Sequence, residues 1–192
     1  YDLVQTWEGF VYHMTSRGSR FKDGAMRNPA GQVFMKGRES TEWLEQNLRS
    51  TRNFIRKWGH MVKHDKMMFP IIPPKYDIGF VVKNCDSKML RELEPWCSTI
   101  YTDCEYDDYI KEEQRNTAFN LSDRIKPYDN EKNNDIIVKF DAKMLNANNF
   151  QVIVNLSEMF KDSAEVGEME YDVFHFDINS LETYEKDLII RE

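Results

Sequence analysis

Three prolines fall within five residues at Pro70-Ile71-Ile72-Pro73-Pro74. Each lacks a backbone N–H, fixes its own φ near about −65°, and biases the residue before it towards extended chain. Neither a helix nor a central strand crosses such a stretch, so the chain is read as two units, residues 1–74 and 75–192. Charge divides the same way. Residues 1–74 hold 12 Lys and Arg against 7 Asp and Glu, a net of +5, while residues 75–192 hold 14 against 26, a net of −12. Two units with different partners are implied: an anionic ligand suits the basic one, and the acidic one is a poor nucleic-acid surface.

The composition, 41% hydrophobic and 31% charged, is that of a folded chain. No apolar run approaches the roughly 20 residues that span a bilayer, and no charged-then-apolar leader is present. Cys85, Cys97 and Cys104 form no C-x-x-C pair. They fit neither a disulfide framework nor a zinc ribbon, and point to reduced thiols and a cytoplasmic location. The chain opens at Tyr1 without an initiator Met, which is the expectation for part of a longer reading frame.

In the first unit, Leu3 to Met14 reads as extended chain and Thr15 to Gly37 as a loop rich in Gly, Ser, Arg and Asn. A helix is predicted over 40–58, with Ser40 as N-cap, Glu42 and Glu45 at the positive end of the dipole, and Gly59 past its end. Leu44, Leu48, Ile55 and Trp58 recur at helical spacing as the core side, leaving Arg49, Arg52, Arg56 and Lys57 for the other face. In the second unit, strands are predicted at Ile78–Lys83, Ser98–Thr102, Asp135–Asp141 and Glu170–Ile178. Helices are predicted after Asp86 as far as Pro95, over one or two turns at Tyr109–Gln114, and across Ala142–Phe160. The order βαβ–βαβ predicts an α+β fold, a ferredoxin-like βαββαβ domain with helices on one face of an antiparallel sheet.

The stretch richest in chemistry runs from Trp7 to Phe21. His13 closes an apolar extended segment, and Ser16, Arg17, Gly18, Ser19 and Arg20 follow it. A neutral imidazole can complete the shell of Mn²⁺ or Mg²⁺, and guanidinium groups with loop N–H groups can hold a diphosphate. The same residues also read as a core histidine beside a solvated loop.

Val11-Tyr12-His13 with Ser16 to Phe21, followed by a helix ending Asn53-Phe54-Ile55-Arg56-Lys57-Trp58-Gly59, resembles the tail of family 2-type, GT-A glycosyltransferases. The likeness covers residues 1–65, about a third of the chain. It implies that residues 1–74 are the C-terminal remnant of a catalytic domain and that His13 is a metal or diphosphate contact. Ser16, Arg17, Ser19 and Arg20 would then form the substrate-binding loop beside it. It further implies transfer of a sugar from a nucleotide-diphosphate donor to the hydroxyl of a glycan acceptor, with Mn²⁺ or Mg²⁺ in the complete enzyme. The nucleotide-binding half, the Asp-x-Asp motif and the base of such enzymes have no counterpart in the twelve residues before His13. The chain is therefore expected to be catalytically incomplete by itself.

Two other readings compete. One is a free-standing ferredoxin-like interaction module, a homodimer through its exposed edge strand. The other is a metal enzyme using Asp103, Asp107 and Asp108, in an acidic stretch that equally suits a solvated turn. His60 and His64 stand at i, i+4, but Met61 replaces the glutamate of the zinc-protease helix and Gly59 precedes them, so they read as surface histidines. Trp43, Trp58 and Trp96 read as core residues.

Overall fold

Ile78-Gly79-Phe80-Val81-Val82 carries no polar side chain before Lys83, the pattern of a strand covered on both faces. The computed structural model, which describes residues 41–163 and 165–184, places β1 there (Ile78–Lys83), with its first five residues buried. The chain divides into two units, Tyr1–Leu48 and Arg49–Glu192. Of the first, only the opening turns of α1 (Thr41–Trp58) fall among the described residues.

After β1, Asp86 accepts a hydrogen bond from the Met89 N–H at 2.7 Å and caps α2 (Ser87–Leu93). Pro95 converts the end of that helix into a 3-10 turn. The chain returns as β2 (Thr99–Thr102), crosses again through α3 (Asp107–Glu113) and α4 (Leu121–Arg124), and enters β3 (Ile125–Pro127). A segment without helix leads to β4 (Ile136–Asp141). Then come α5 (Phe150–Val154), α6 (Leu156–Ser163) and a hairpin of β5 (Gly167–Tyr171) and β6 (Phe174–Ile178).

The mixed α/β chain thus forms one six-stranded sheet in the order β3-β2-β1-β4-β6-β5. Strands β3, β2, β1 and β4 run parallel, and β6 is antiparallel to both β4 and β5. Phe80 lies opposite Ile100 on one side and Val138 on the other, and Val138 lies opposite Phe176. This row belongs to the main core with Leu90, Leu93, Ile153, Leu156 and Phe160, so the helices cover that face. On the opposite face Val81, Tyr101 and Ile137 form a smaller cluster under Tyr128.

The ferredoxin-like arrangement is not confirmed. Its sheet is antiparallel, whereas here the β1–α2–β2 and β2–α3–α4–β3 crossovers bring successive strands back in the same direction. Three local expectations are corrected with it. The polar connection up to Asn134 contains α4 and β3. The expected strand over Glu170–Ile178 is the end of β5, a two-residue turn and β6. The expected helix over Ala142–Phe160 is a 3-10 turn at Ala142–Met144, an Asn-rich loop and then α5 and α6.

The faces of α1 depart in part from expectation. Ile55 is buried and Lys57 exposed as expected, but Leu44 and Leu48 are exposed, while Arg52 and Arg56 are buried. The guanidiniums are covered because a set of carboxylates meets them. Arg52 forms a two-pronged pair with Glu113 at 2.8 and 2.7 Å. Arg56 reaches Glu94 at 2.7 Å, Glu113 at 3.0 Å and the Tyr109 hydroxyl oxygen at 3.0 Å. Arg124 donates to Glu94 at 2.6 Å and to the Cys97 carbonyl. Trp43 is exposed, and Trp58 and Trp96 are half-buried rather than core.

Candidate functional site at the carboxyl ends of the strands

The chain leaves β1 towards β2 on one side and later inserts β4 on the other. Strand order reverses between β1 and β4, and in open α/β sheets ligands gather outside the carboxyl ends of the strands at such a point. Asn84 directly follows β1, Asp103 directly follows β2 and Asp141 ends β4.

Asn84 ties the three strand ends together. Its backbone takes φ 53, a left-handed conformation that Asn tolerates better than most residues. There its N–H donates to Asp103 Oδ2 at 2.8 Å and its side-chain amide donates to Asp141 Oδ2 at 2.7 Å. The Cys85 N–H donates to Asp103 Oδ1 at 3.1 Å, and the Lys143 N–H to Asp141 Oδ1 at 2.9 Å. Each carboxylate oxygen is thus oriented by one N–H and keeps a lone pair for a ligand. Asp103 is exposed and Asp141 half-buried. Oxygen donors of this kind fit a hard divalent cation, although among the described residues no three His, Cys, Asp or Glu side chains converge as one metal-binding group.

Cys85 and Cys104 are half-buried at the same strand ends, and the Cys85 thiol donates to the Asp86 carbonyl at 3.5 Å. The Thr102 hydroxyl also donates to the Cys104 sulfur at 3.4 Å. The neighbouring Cys85 side chain, with help from Thr102, draws the Cys104 thiol down to about 7, while Cys104 and burial push the Cys85 thiol up.

At the amino ends of the strands lies a wide cleft of about 660 Å³, lined by Asp77, Trp96, Thr99, Phe119, Arg124 and Asn134 among others. Its charged walls are already engaged: Arg124 holds Glu94, and Asn134 holds Asp77 at 2.7 Å. Ligands of open α/β sheets gather at the carboxyl ends instead, which directs attention to Asn84, Asp103 and Asp141.

His13, Ser16, Arg17, Ser19 and Arg20 lie outside the described residues. Asp107 and Asp108 open α3, Asp108 pairs with Lys111 at 3.2 Å, and neither joins Asp103 in a common donor set. The expectation for His60 is overturned: it is buried, its ring meeting Phe54 edge-on at 6.1 Å, because the chain folds back after α1. His64 is exposed as expected. Asn84 was not singled out in the sequence, and Cys85 and Cys104 were read only as reduced thiols; the available signal was an Asn-Cys-Asp triplet directly after β1. No family model, curated protein or solved structure matches the chain. No helix among the described residues is long and apolar enough to cross a membrane.

Proposed function

We propose that the chain is part of a nucleotide-sugar glycosyltransferase, and that its second unit is a nucleotide-diphosphate-binding α/β module. The observation that carries this reading is the reversal of strand order between β1 and β4, with the Asn84 side chain spanning it to Asp141. A diphosphate over these strand ends would meet carboxylates, so a divalent cation held by Asp103 and Asp141 would mediate the contact, supplying charge to stabilise the departing diphosphate. In the amino-terminal unit, His13 with Ser16, Arg17, Ser19 and Arg20 remains the proposed donor contact, on the resemblance given above. Sugar transfer to an acceptor hydroxyl also needs a base, which the complete enzyme would supply.

The association reading draws on β5, an edge strand of the sheet. Glu168 and Glu170 are exposed on it, and charges of this kind blunt edge-to-edge pairing. The nucleotide reading is therefore preferred.

Isothermal titration of the chain with UDP and with GDP, each with and without Mn²⁺, tests it. Saturable, Mn²⁺-dependent binding that is lost in Asp141→Ala is the expected result. No heat for either nucleotide at millimolar concentration, together with a dimer in light scattering, would favour the association module instead.

A further inference from the structure

We propose that the tight turn over residues 63–71 is a membrane-contact element, which seats an apolar tip in the headgroup boundary of an anionic bilayer. The inference does not rest on nucleotide binding. Among the described residues thirteen large apolar side chains are exposed, and seven of them fall between Met61 and Ile72. At the tip, Met67 is 76%, Met68 71% and Phe69 60% exposed. Apolar side chains exposed singly need no account, but a run of neighbours marks an interaction site.

The backbone of this turn satisfies its own donors. His64 and Pro70 face each other across an antiparallel bridge. The Met67 and Phe69 N–H groups donate to Asp65 Oδ1 at 2.8 and 2.9 Å. The Met68 N–H donates to the Asp65 carbonyl at 3.1 Å, and the Ile71 N–H to the Lys63 carbonyl at 3.0 Å. Pro70 has no N–H at all. From residue 67 to residue 71 every backbone N–H is therefore bonded or absent. That is the condition for entering a low-dielectric layer, where an unmet donor is costly. Met68 also takes φ 66, in the left-handed region where glycine or asparagine is less strained. A long apolar side chain held there in solvent adds nothing to the core, so its use lies outside the fold.

Charge selects the partner. Residues 57–75 hold Lys57, Lys63, Lys66 and Lys75 against Asp65 alone, a net of +3, in a chain whose net charge is −7. Lys66 is exposed within the turn itself. Lys63 pairs with Glu158 at 2.9 Å and fixes one limb of the turn to α6. Lys75 donates to the Lys57 carbonyl at 3.2 Å and ties the two ends of the basic stretch together. An apolar tip flanked by lysines suits hydrocarbon lying beneath anionic headgroups. A folded protein partner is recognised through hydrogen bonds as well as apolar contact, and this tip has no spare backbone N–H to offer one.

The test sediments the 192-residue chain with phosphatidylcholine vesicles containing a quarter phosphatidylglycerol. Nucleotide and Mn²⁺ are omitted, so the strand-end site does not enter the readout. Saturable binding is expected, at least about tenfold weaker on pure phosphatidylcholine and again at about 0.5 M NaCl. Phe69→Ser should weaken binding to the anionic vesicles at least about tenfold, and Met68→Gly at least about threefold. Met68→Gly also relieves the left-handed backbone, so it should melt no lower than the unsubstituted chain. A misfolded Phe69→Ser therefore cannot obscure the outcome. Val166→Ser, at an apolar residue exposed outside the turn, should bind like the unsubstituted chain. The inference is overturned if the chain stays in the supernatant with anionic vesicles, or if Met68→Gly binds unchanged. Equal losses in Val166→Ser and Met68→Gly overturn it as well. So does a dimer in light scattering without vesicles that Met68→Gly dissociates, which would assign the tip to a second copy of the chain.

Discussion

The Arg56 guanidinium and the Glu94 carboxylate, both wholly shut off from solvent, meet at 2.7 Å between α1 and the 3-10 turn that follows α2. Arg124 approaches the same carboxylate from α4 at 2.6 Å, and Glu113 brings Arg52 and Arg56 together from α3. Removing one member of a buried, hydrogen-bonded set leaves the opposite charge uncompensated, at about 3–5 kcal/mol. Arg56→Ala is therefore expected to lower unfolding free energy by that much. Lys57→Ala, one residue along and exposed, should stay within about 0.5 kcal/mol. Urea denaturation of the two variants distinguishes this anchoring from the reverse orientation of α1, in which the effects would be similar or exchanged.

The same set should govern acid stability. Burial raises the Glu94 carboxyl, but the charges of Arg124 and Arg56 and their hydrogen bonds outweigh it and hold the group below its ordinary 4.5. Glu113 is likewise held low: burial opposes, while hydrogen bonds and charge from Arg52 and Arg56 prevail. Both bind protons more weakly in the folded than in the unfolded chain, so stability rises with pH through this range. Their contribution is complete above the ordinary carboxyl range and is lost as pH falls through it towards the folded values. The urea midpoint should drop between about pH 5 and pH 3, and the drop should be shallower in Glu94→Gln. An unchanged slope in that variant would remove Glu94 from the account.

Much of the sheet was legible because β1 and β4 each open on a short apolar run, Ile78 to Val82 and Ile136 to Val138, and Asp86 and Pro95 mark the ends of the helical segment between β1 and β2. Strand direction was the weaker inference, since a period of two describes parallel and antiparallel strands alike. Strand β3 escaped notice because Ile125-Lys126-Pro127 is too short to show a period. The β5–β6 hairpin was hidden because its turn residue, Asp172 at φ 53, lies within an otherwise continuous strand pattern. The faces of α1 were misjudged for a different reason: an arginine reads as solvent-facing until its carboxylate partners are known, and Glu94 and Glu113 lie 38 and 57 residues from Arg56. The strand-end cluster was half legible. Asp103 and Asp141 each close a predicted strand, but only the strand order brings Asn84 between them.

Gly79 shows how closely the second face of the sheet is filled. A Cβ there would lie 2.4 Å from Asn134 Oδ1 and 2.7 Å from its Cγ, closer than packed atoms approach. Asn134 cannot yield freely, because it donates to Asp77 at 2.7 Å and accepts from the Tyr101 hydroxyl at 3.0 Å. Gly79→Ala should cost about 1–3 kcal/mol through this overpacking. Adding Asn134→Ala removes the obstructing side chain, so the double variant should be markedly less destabilised than the sum of the two single variants. Strict additivity in thermal or urea unfolding would show that the clash is relieved elsewhere.

Asn84 links strand order to the proposed ligand site, and three substitutions separate its backbone role from its side-chain role. At φ 53 glycine is unstrained, so Asn84→Gly should preserve the turn and the N–H bond to Asp103 while deleting the 2.7 Å bond to Asp141. Asn84→Val should add the strain of a β-branched residue in the left-handed region, about 1–3 kcal/mol. Asn84→Asp keeps the shape but sets a carboxylate against Asp141. On the nucleotide reading, Asn84→Gly should therefore unfold near the unsubstituted chain yet bind Mn²⁺-nucleotide at least about tenfold more weakly, a loss of about 1.4 kcal/mol. Asn84→Asp, with a further oxygen donor beside the cation, should recover part of that affinity with Mn²⁺ and none without it. Should Asn84→Gly lose stability and leave affinity untouched, Asn84 would be a strand-end tie only, and the ligand crevice would have to be sought away from Asp141.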